Sequence, residues 1–188
     1  DVGCGDGLIG FAAMDQLPTG QVTFSDVSSD LLSQCEEVAH NLGLADRCHF
    51  VQADAARLQP LPDAAIDVVA MRSVLIYVSD KAAAFSSFYR VLRPGGRLSL
   101  FEPINRFPVA LPSRFRGGLF GYDVGSVGEI AKKINTVYQS QGSTPSSPIT
   151  PMVDFDERDL VSMAVEAGFR EVHLELRIDI APGEPKSW

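Results

Sequence analysis

The fold is decided by the first seven residues, Asp1-Val2-Gly3-Cys4-Gly5-Asp6-Gly7, whose pattern is typical of a strand that turns into a helix. The closely spaced glycines leave this turn with few side chains, so a ligand can approach the backbone and meet the free N–H groups of the following helix. The turn therefore predicts a site for a nucleotide-containing ligand. The spacing Gly5-x-Gly7-x-x-Gly10 also satisfies the dinucleotide pattern G-x-G-x-x-G, so two classes of ligand compete at this point.

Acidic residues in the turn separate the two classes. A dinucleotide-binding strand is expected to be apolar up to its first glycine, because its ligand carries a pyrophosphate. Here Asp1 stands two residues before Gly3, and Asp6 lies within the turn. These carboxylates favour a ligand with ammonium and sulfonium groups over an anionic ligand.

The same residues resemble the first motif of the class I S-adenosylmethionine-dependent methyltransferases, D-hydrophobic-G-C/S-G-x-G, which residues 1–7 match completely. A second resemblance is the turn L-x-P-G-G-x-L at 92–98, which falls where the fifth strand of that family should begin. The resemblance implies an α/β fold, namely a Rossmann-like, doubly wound and mostly parallel sheet with an antiparallel edge. The cofactor that it implies is S-adenosylmethionine.

Alternating strand and helix patterns support this fold class. Runs of β-branched and aromatic residues predict strands, and helical spacing of apolar residues predicts helices. The predicted strands are Val22–Asp26, Cys48–Gln52 and Ile66–Met71, with a further strand that ends near Phe101. The predicted helices are Leu8–Leu17, Ser29–Leu42, one that is capped by Ser79 or Asp80, and Phe155–Gly168. The residues of the first helix expected to face the sheet are Leu8, Phe11, Ala12 and Leu17.

The pattern divides the chain into three parts. Residues 1–103 are predicted to form the S-adenosylmethionine-binding core, and residues 104–151 a lid or substrate cap, because so long a connection in a compact domain usually covers a site. Residues 152–188 are predicted to add a helix and an edge strand to the same domain, since apolar and polar residues alternate strictly from Val172 to Ile180. Little of the central strand precedes the turn and no strand pattern follows residue 183, so the chain is expected to be truncated at both ends.

Composition and charge narrow the range of partners. Sixteen basic and twenty-four acidic residues among 188 give a net charge of -8 and a pI near 4.8, which disfavours binding to nucleic-acid phosphates or anionic lipids. No apolar run approaches the roughly 20 residues of a membrane span, and the cysteines show neither disulfide nor metal-site spacing. We expect a cytoplasmic protein that binds a small-molecule acceptor, without a metal, nucleic acid or membrane partner. The sequence does not predict its oligomeric state.

Functional residues are expected where the strands end, because the carboxyl ends of parallel strands meet at one edge of a sheet. By resemblance, Asp1 would bind the ammonium group of the methionine moiety, Asp26 the ribose hydroxyls, and Asp54 with Ala55 the adenine. Arg72 would contribute through its backbone. The full set of cofactor-binding residues implied in this way is Asp1, Gly3, Cys4, Gly5, Asp26, Val27, Asp54, Ala55 and Arg72.

The expected reaction is an in-line displacement at an activated methyl carbon, so alignment of the acceptor in a dry pocket can supply much of the catalysis. The candidates for contact with the acceptor or for proton transfer are Tyr77 and Glu102, with Tyr122 and Asp123 of the predicted lid, and Tyr77 is the residue expected to line the acceptor pocket. Two other functions remain open at this point. One is a non-catalytic, methyltransferase-like binding domain, and the other is an NAD(P)-dependent oxidoreductase.

Overall fold

The computed structural model describes residues 1–104 and 151–175. Nearly all of the predicted lid, and residues 176–180 of the predicted edge strand, lie outside the described residues.

The strands pair in parallel around the start of the chain. Strand β1 (Val22–Asp26) pairs with β2 (Cys48–Gln52), with Val22 opposite Cys48 and Asp26 opposite Gln52. Strand β3 (Ile66–Arg72) pairs with β4 (Leu92–Phe101). Val2 forms parallel bridges to Ser25 of β1 and to Met71 of β3. The order across the sheet is therefore β2, β1, the start of the chain, β3 and β4, which confirms the predicted central position of the first residues.

The first three helices precede or separate these strands in the chain and the fourth follows β4, and all of them except the first begin at a side-chain cap. They are α1 (Leu8–Gln16), α2 (Ser29–Asn41), α3 (Lys81–Val91) and α4 (Glu157–Ala167), with short 3-10 helices at Ala45–Arg47 and Leu75–Tyr77. Ser28 caps α2 by accepting the Leu31 N–H, and Asp80 caps α3 by accepting the Ala83 N–H. Asp80 is one of the two caps predicted for α3. Such caps satisfy backbone donors that a helix leaves free in its first turn.

Two hydrophobic clusters of the described residues hold these layers together. One lies under α1 and α2 and contains Met14, Phe24 and Cys35. The other lies under α3 and α4 and contains Phe85 and Phe88. At roughly 1.5–3 kcal/mol for each large apolar side chain that is buried, these clusters supply much of the free energy that fixes the strand ends.

The predicted inner face of α1 is wrong in part: Phe11 packs against the core, but Leu8 and Leu17 do not. Leu8 and Leu17 are more than half exposed, whereas Gly10 and Met14 are the buried residues of this helix. A Cβ atom at Gly10 would lie only 2.2 Å from the ring of Phe24, so the helix approaches β1 through its glycine. A glycine contributes nothing to a hydrophobic pattern, which is why the pattern pointed to a different face.

The C-terminal edge is described in part. Residues 171–175 are not in a strand, and Val172 and Leu174 are 41% and 47% exposed. Alternation of apolar and polar residues is not sufficient for a strand, because a strand also needs a neighbour for its N–H and C=O groups. The edge strand predicted for 172–180 is therefore not seen over 172–175.

Candidate functional site

Two adjoining cavities open at the carboxyl ends of the strands in the described part of the chain. The larger has a volume of about 730 Å³ and the smaller about 340 Å³. Gly3, Gly5 and Ser73 line both of them, so the glycine turn and the residue after β3 form the ridge where the cavities meet. Ligand sites commonly lie at this edge of an open α/β sheet.

One side of the larger cavity is formed by the ends of β1 and β2, and we call residues Asp26, Val27, Asp54 and Ala55 the strand-end wall. Asp26 is only 8% exposed. Its carboxylate accepts the Gly5 N–H at 3.1 Å with one oxygen and the Ser28 N–H at 2.9 Å with the other. Asp26 thus joins the glycine turn to the start of α2, and it is a floor residue of the cavity rather than a helix cap.

The opposite side is formed by residues 73–77, which we call the Ser73–Tyr77 wall. Ser73 has a φ of 56°, in the left-handed region that non-glycine residues rarely adopt. Its backbone N–H donates to the Phe101 carbonyl of β4 at 2.9 Å. Tyr77 lines the larger cavity and is 70% exposed, so its ring is accessible to a ligand.

Glu102 lies behind this wall and lines neither cavity. Its Oε1 accepts the Val74 N–H at 2.8 Å, and the N–H groups of Leu75 and Ile76 also face the carboxylate. Its Oε2 is buried and has no hydrogen-bond partner among the described residues. Burial raises the pKa of Glu102 above its ordinary value, and this effect outweighs the backbone donors, which favour the charged form.

The smaller cavity lies on the other side of the glycine turn. Asp1, Asp6 and Arg72 are the charged residues that line it. The Asp1 carboxylate accepts the Gly10 N–H of α1 at 2.8 Å, which fixes one of its oxygens. Cys4 also lines this cavity, but burial raises the pKa of its thiol to about 12, so the thiol is inert and the backbone is the useful part of the residue.

The glycines of the turn differ in what surrounds them. Gly3 and Gly5 have φ values of 62° and 53°, which a residue with a side chain would adopt only at a cost. A Cβ at Gly3 would lie 2.5 Å from Val74, whereas a Cβ at Gly5 would meet nothing within 4 Å. Gly3 is therefore required for packing, and Gly5 leaves open space beside both cavities.

The cofactor expected from the sequence fits this donor set. Each oxygen of Asp26 accepts one backbone N–H, and a carboxylate oxygen can accept about two hydrogens, so capacity remains for two ribose hydroxyls. Carboxylates at Asp1 and Asp6 suit an ammonium group and would repel a pyrophosphate. The volume of the larger cavity lies in the usual range for small-molecule sites, roughly 300–1,000 Å³.

The structure brings together nearly all of the residues that the sequence predicted. The larger cavity is lined by Gly3, Gly5, Asp26, Val27, Asp54, Ala55 and Tyr77. The smaller is lined by Asp1, Gly3, Cys4, Gly5 and Arg72. Glu102 lines neither cavity, as described above. Sequence reasoning missed Ser73, because a serine carries no signal of a left-handed backbone.

Residues 1–104 and 151–175 contain no group of three or more histidine, cysteine, aspartate or glutamate side chains that could hold a metal ion. No helix within those same ranges is long and apolar enough to cross a bilayer.

Comparisons with known proteins agree with this geometry. Residues 1–100 match the family model described as a methyltransferase domain. The ubiquinone/menaquinone biosynthesis C-methyltransferase UbiE of Pseudomonas putida is 34% identical over 158 residues, which cover 82% of this chain and 57% of that protein. UbiE of Pseudoalteromonas translucida is 43% identical over 84 residues, which cover 45% of this chain and 33% of that protein.

A solved structure shows a similar fold. It is geranyl diphosphate C-methyltransferase from Streptomyces coelicolor in complex with Mg²⁺, geranyl diphosphate and S-adenosyl-L-homocysteine. Its TM-score is 0.61 at 17% identity, over 89% of this chain and 51% of that one. At that identity the likeness establishes the Rossmann-like fold alone. The chain spans from 32% to 59% of the length of the curated relatives that it matches.

Proposed function

Because the chain belongs to the methyltransferase domain family, in the class I S-adenosylmethionine-dependent group, we propose that it transfers a methyl group from S-adenosylmethionine to a small organic acceptor. One observation carries the proposal. The nine residues predicted to bind the cofactor line two cavities that meet at Gly3, Gly5 and Ser73. A continuous site of this kind suits a ligand with two chemically different ends.

The two cavities divide the proposed binding roles. In the larger, Asp26 would accept the ribose hydroxyls, and Asp54 with Ala55 would bind the adenine, beside the exposed side chain of Val27. In the smaller, Asp1 would bind the ammonium group of the methionine moiety. The backbone of Gly3, Cys4 and Gly5 would contact that moiety too, and Arg72 would border it.

When bound, S-adenosylmethionine supplies a methyl group already activated on a sulfonium. The residues of the site then have to align an acceptor and exclude water. Tyr77, which lines the larger cavity, would contact the acceptor. The position of Glu102 behind the Ser73–Tyr77 wall favours a role in positioning that wall over a role as general base, because a base must reach the proton that it removes.

We further propose the domain arrangement expected from the sequence. Residues 1–103 form the cofactor-binding core, residues 104–151 a substrate cap, and residues 152–188 complete the same domain. Matched curated relatives are named as C-methyltransferases of quinone biosynthesis, so the first acceptors to test are electron-rich hydroxylated rings that offer a carbon nucleophile.

The test is transfer of a labelled methyl group from S-adenosylmethionine to a panel of such acceptors, and to nitrogen and oxygen acceptors, by the full chain. We expect label in one acceptor class, and loss of transfer in Asp26→Ala. Asp30→Ala, which removes an exposed acid in the first turn of α2, is the matched control. Binding of the cofactor without transfer to any acceptor would favour the non-catalytic binding domain. Binding of NAD instead would favour the oxidoreductase.

A further inference from the structure

The loop that follows β2 is held by the C-terminal half of α3. Residues 54–57 of this loop all line the larger cavity. The hydroxyl of Ser87, a residue that is only 8% exposed, donates to the Ala56 carbonyl at 2.8 Å. Ala56 in turn donates its N–H to the Asp54 carboxylate at 2.9 Å. Ser87 is therefore linked through a single residue, Ala56, to the Asp54 carboxylate that is proposed to bind the adenine.

Arg90, one turn further along α3, binds the rest of the loop. Its Nη2 donates to the carbonyls of Arg57 at 3.0 Å and Leu58 at 3.3 Å. Its Nη1 donates to the Leu61 carbonyl at 2.9 Å and to the Asp63 carboxylate at 2.6 Å. The planar guanidinium can bind several acceptors at once because its N–H groups have a fixed geometry, which a lysine cannot reproduce.

The backbone of the loop would not keep this shape unaided. Leu58 has a φ of 47° and is fully buried, and Ala64 has a φ of 52°. Left-handed backbone at residues with a side chain persists where the surroundings enforce it. Arg90 supplies that constraint at both positions, since its side chain binds the Leu58 carbonyl and its own carbonyl accepts the Ala64 N–H at 2.9 Å.

We infer that Ser87 and Arg90 are positioning residues for the adenine-binding loop, and that they set the preference for adenine over other purine bases without touching the ligand. Neither residue lines either of the two cavities. They act through Ala56, Arg57 and Leu58 on the orientation of the Asp54 carboxylate. The inference rests on the proposed function, because it assumes that the loop binds the adenine of the cofactor.

The exposed ion pair is a minor part of this arrangement. Asp63 is 75% exposed in its side chain, so its interaction with Arg90 is screened by solvent. The hydrogen bonds from Arg90 to the carbonyls of Arg57, Leu58 and Leu61 are the interactions that hold the loop backbone. Asp63→Asn should therefore leave ligand preference unchanged, while changes to Arg90 itself should alter it.

The test compares the affinities of S-adenosylhomocysteine and of S-inosylhomocysteine, in which an oxygen replaces the adenine amino group. The full chain is titrated as wild type, Ser87→Ala, Arg90→Lys and Arg90→Met. Controls are Ser86→Ala, whose exposed hydroxyl bonds only to Ala82 in the same helix among the described residues, and Arg93→Met, which loses an exposed ion pair to Asp67. Thermal melting of each variant measures the fraction that is folded at the temperature of the titration, so that affinities are compared per folded molecule.

We expect wild type and both controls to prefer S-adenosylhomocysteine by a similar ratio. Arg90→Met should lose about tenfold in affinity for it and most of that preference, and Ser87→Ala about threefold. Arg90→Lys should resemble Arg90→Met. If wild type prefers the adenine ligand and the Ser87 and Arg90 variants keep the control ratio, the inference is wrong and the proposed function stands. If wild type binds neither ligand, both are wrong.

Discussion

The strand-end wall of the larger cavity has the carboxylate of Asp26 at the end of a paired strand, whereas the Ser73–Tyr77 wall is held from behind by the carboxylate of Glu102. On the first side, Asp26 ends β1, and hydrogen bonds to Gly5 and Ser28 fix its side chain from two directions. On the second side, Ser73 is in a left-handed conformation, and the 3-10 helix Leu75–Tyr77 follows Val74, whose N–H donates to the Glu102 carboxylate.

The difference indicates how the two walls can serve different tasks. A side chain at the end of a paired strand has little freedom, which suits contact with an invariant ligand such as a cofactor. The Ser73–Tyr77 wall lies outside the strands and is held by the Glu102 carboxylate and by the bond from Ser73 to Phe101, so it can change shape at lower cost than a paired strand, which suits contact with an acceptor. The predictions below test this division, in order of decreasing expected effect.

Asp26→Ala should have the largest effect on the strand-end wall. It removes the acceptor for ribose hydroxyls and leaves the Gly5 and Ser28 N–H groups without their partner. We expect a loss of about 100-fold in affinity for S-adenosylhomocysteine, since hydrogen bonds to charged groups are each worth about 1.5–3 kcal/mol. Calorimetric titration measures it, with Asp30→Ala as the control. An affinity within about threefold of wild type would remove Asp26 from the site.

Two glycine variants distinguish a residue that borders the ligand site from one that packs against the core. They are Gly5→Ala in the turn and Gly10→Ala in α1. The Gly10 methyl would lie 2.2 Å from the Phe24 ring and should cost about 1–3 kcal/mol of stability with little effect on binding per folded molecule. The Gly5 methyl would stand in open space beside both cavities, so it should weaken binding by about tenfold, beyond the roughly 1–2 kcal/mol cost of its positive φ. Urea unfolding and titration of both variants measure the two effects. Equal losses of affinity would contradict this assignment.

Glu102→Ala should destabilise the Ser73–Tyr77 wall by about 1–3 kcal/mol, because it leaves the Val74 N–H without its acceptor. Glu102→Gln keeps an acceptor and removes the charge. We expect a higher KM for the acceptor in Glu102→Ala, with the cofactor affinity nearly unchanged. A loss of cofactor affinity equal to that of Asp26→Ala would contradict the division between the walls.

The pH dependence of stability gives a second test of Glu102. Burial raises its pKa, so the folded state holds the proton more tightly than the unfolded chain does. This contribution to stability is fully present below the unfolded glutamate pKa, roughly 4.3, and is lost as pH rises through the folded-state pKa. Glu102→Gln should therefore become more stable relative to wild type as the pH rises through the folded-state pKa of Glu102. Denaturant unfolding at a series of pH values measures this, with the exposed Glu171→Gln as control.

Ser73→Gly should have the smallest effect on stability. Glycine adopts a φ of 56° without strain, so the Gly variant should be about 1 kcal/mol more stable than Ser73→Ala. Thermal unfolding of the two variants measures the difference. Equal stability of the Gly and Ala variants would show that Ser73 does not have a left-handed conformation in solution.

The sequence predicted the strand-end wall better than the opposite one. β-branched and aromatic runs that end in Asp26 and Gln52 carry a strong local signal, and the structure has the boundaries of β1 and β2 where they were predicted. The location of Asp26 and Asp54 at one edge then follows from the parallel pairing. Local sequence pattern and parallel topology were sufficient to predict the positions of Asp26 and Asp54.

Other features depend on contacts that no local pattern encodes. The buried face of α1 is set by the close approach of Gly10 to Phe24, and a glycine has no hydrophobic signal. The strain at Ser73 and the position of Glu102 behind the wall arise from the way in which residues after β3 and β4 meet. Glu102 was predicted only as a candidate for proton transfer or acceptor contact, because its position at a strand end does not reveal which way its side chain points.

The most direct test of the central claim is calorimetric titration of the full chain with S-adenosylhomocysteine and with NAD in parallel, repeated on Asp26→Ala. The geometry of the glycine turn and the strand-end wall predicts micromolar binding of S-adenosylhomocysteine, no heat with NAD, and loss of the signal in the variant. Binding of NAD alone, or S-adenosylhomocysteine binding that survives Asp26→Ala unchanged, would contradict the account.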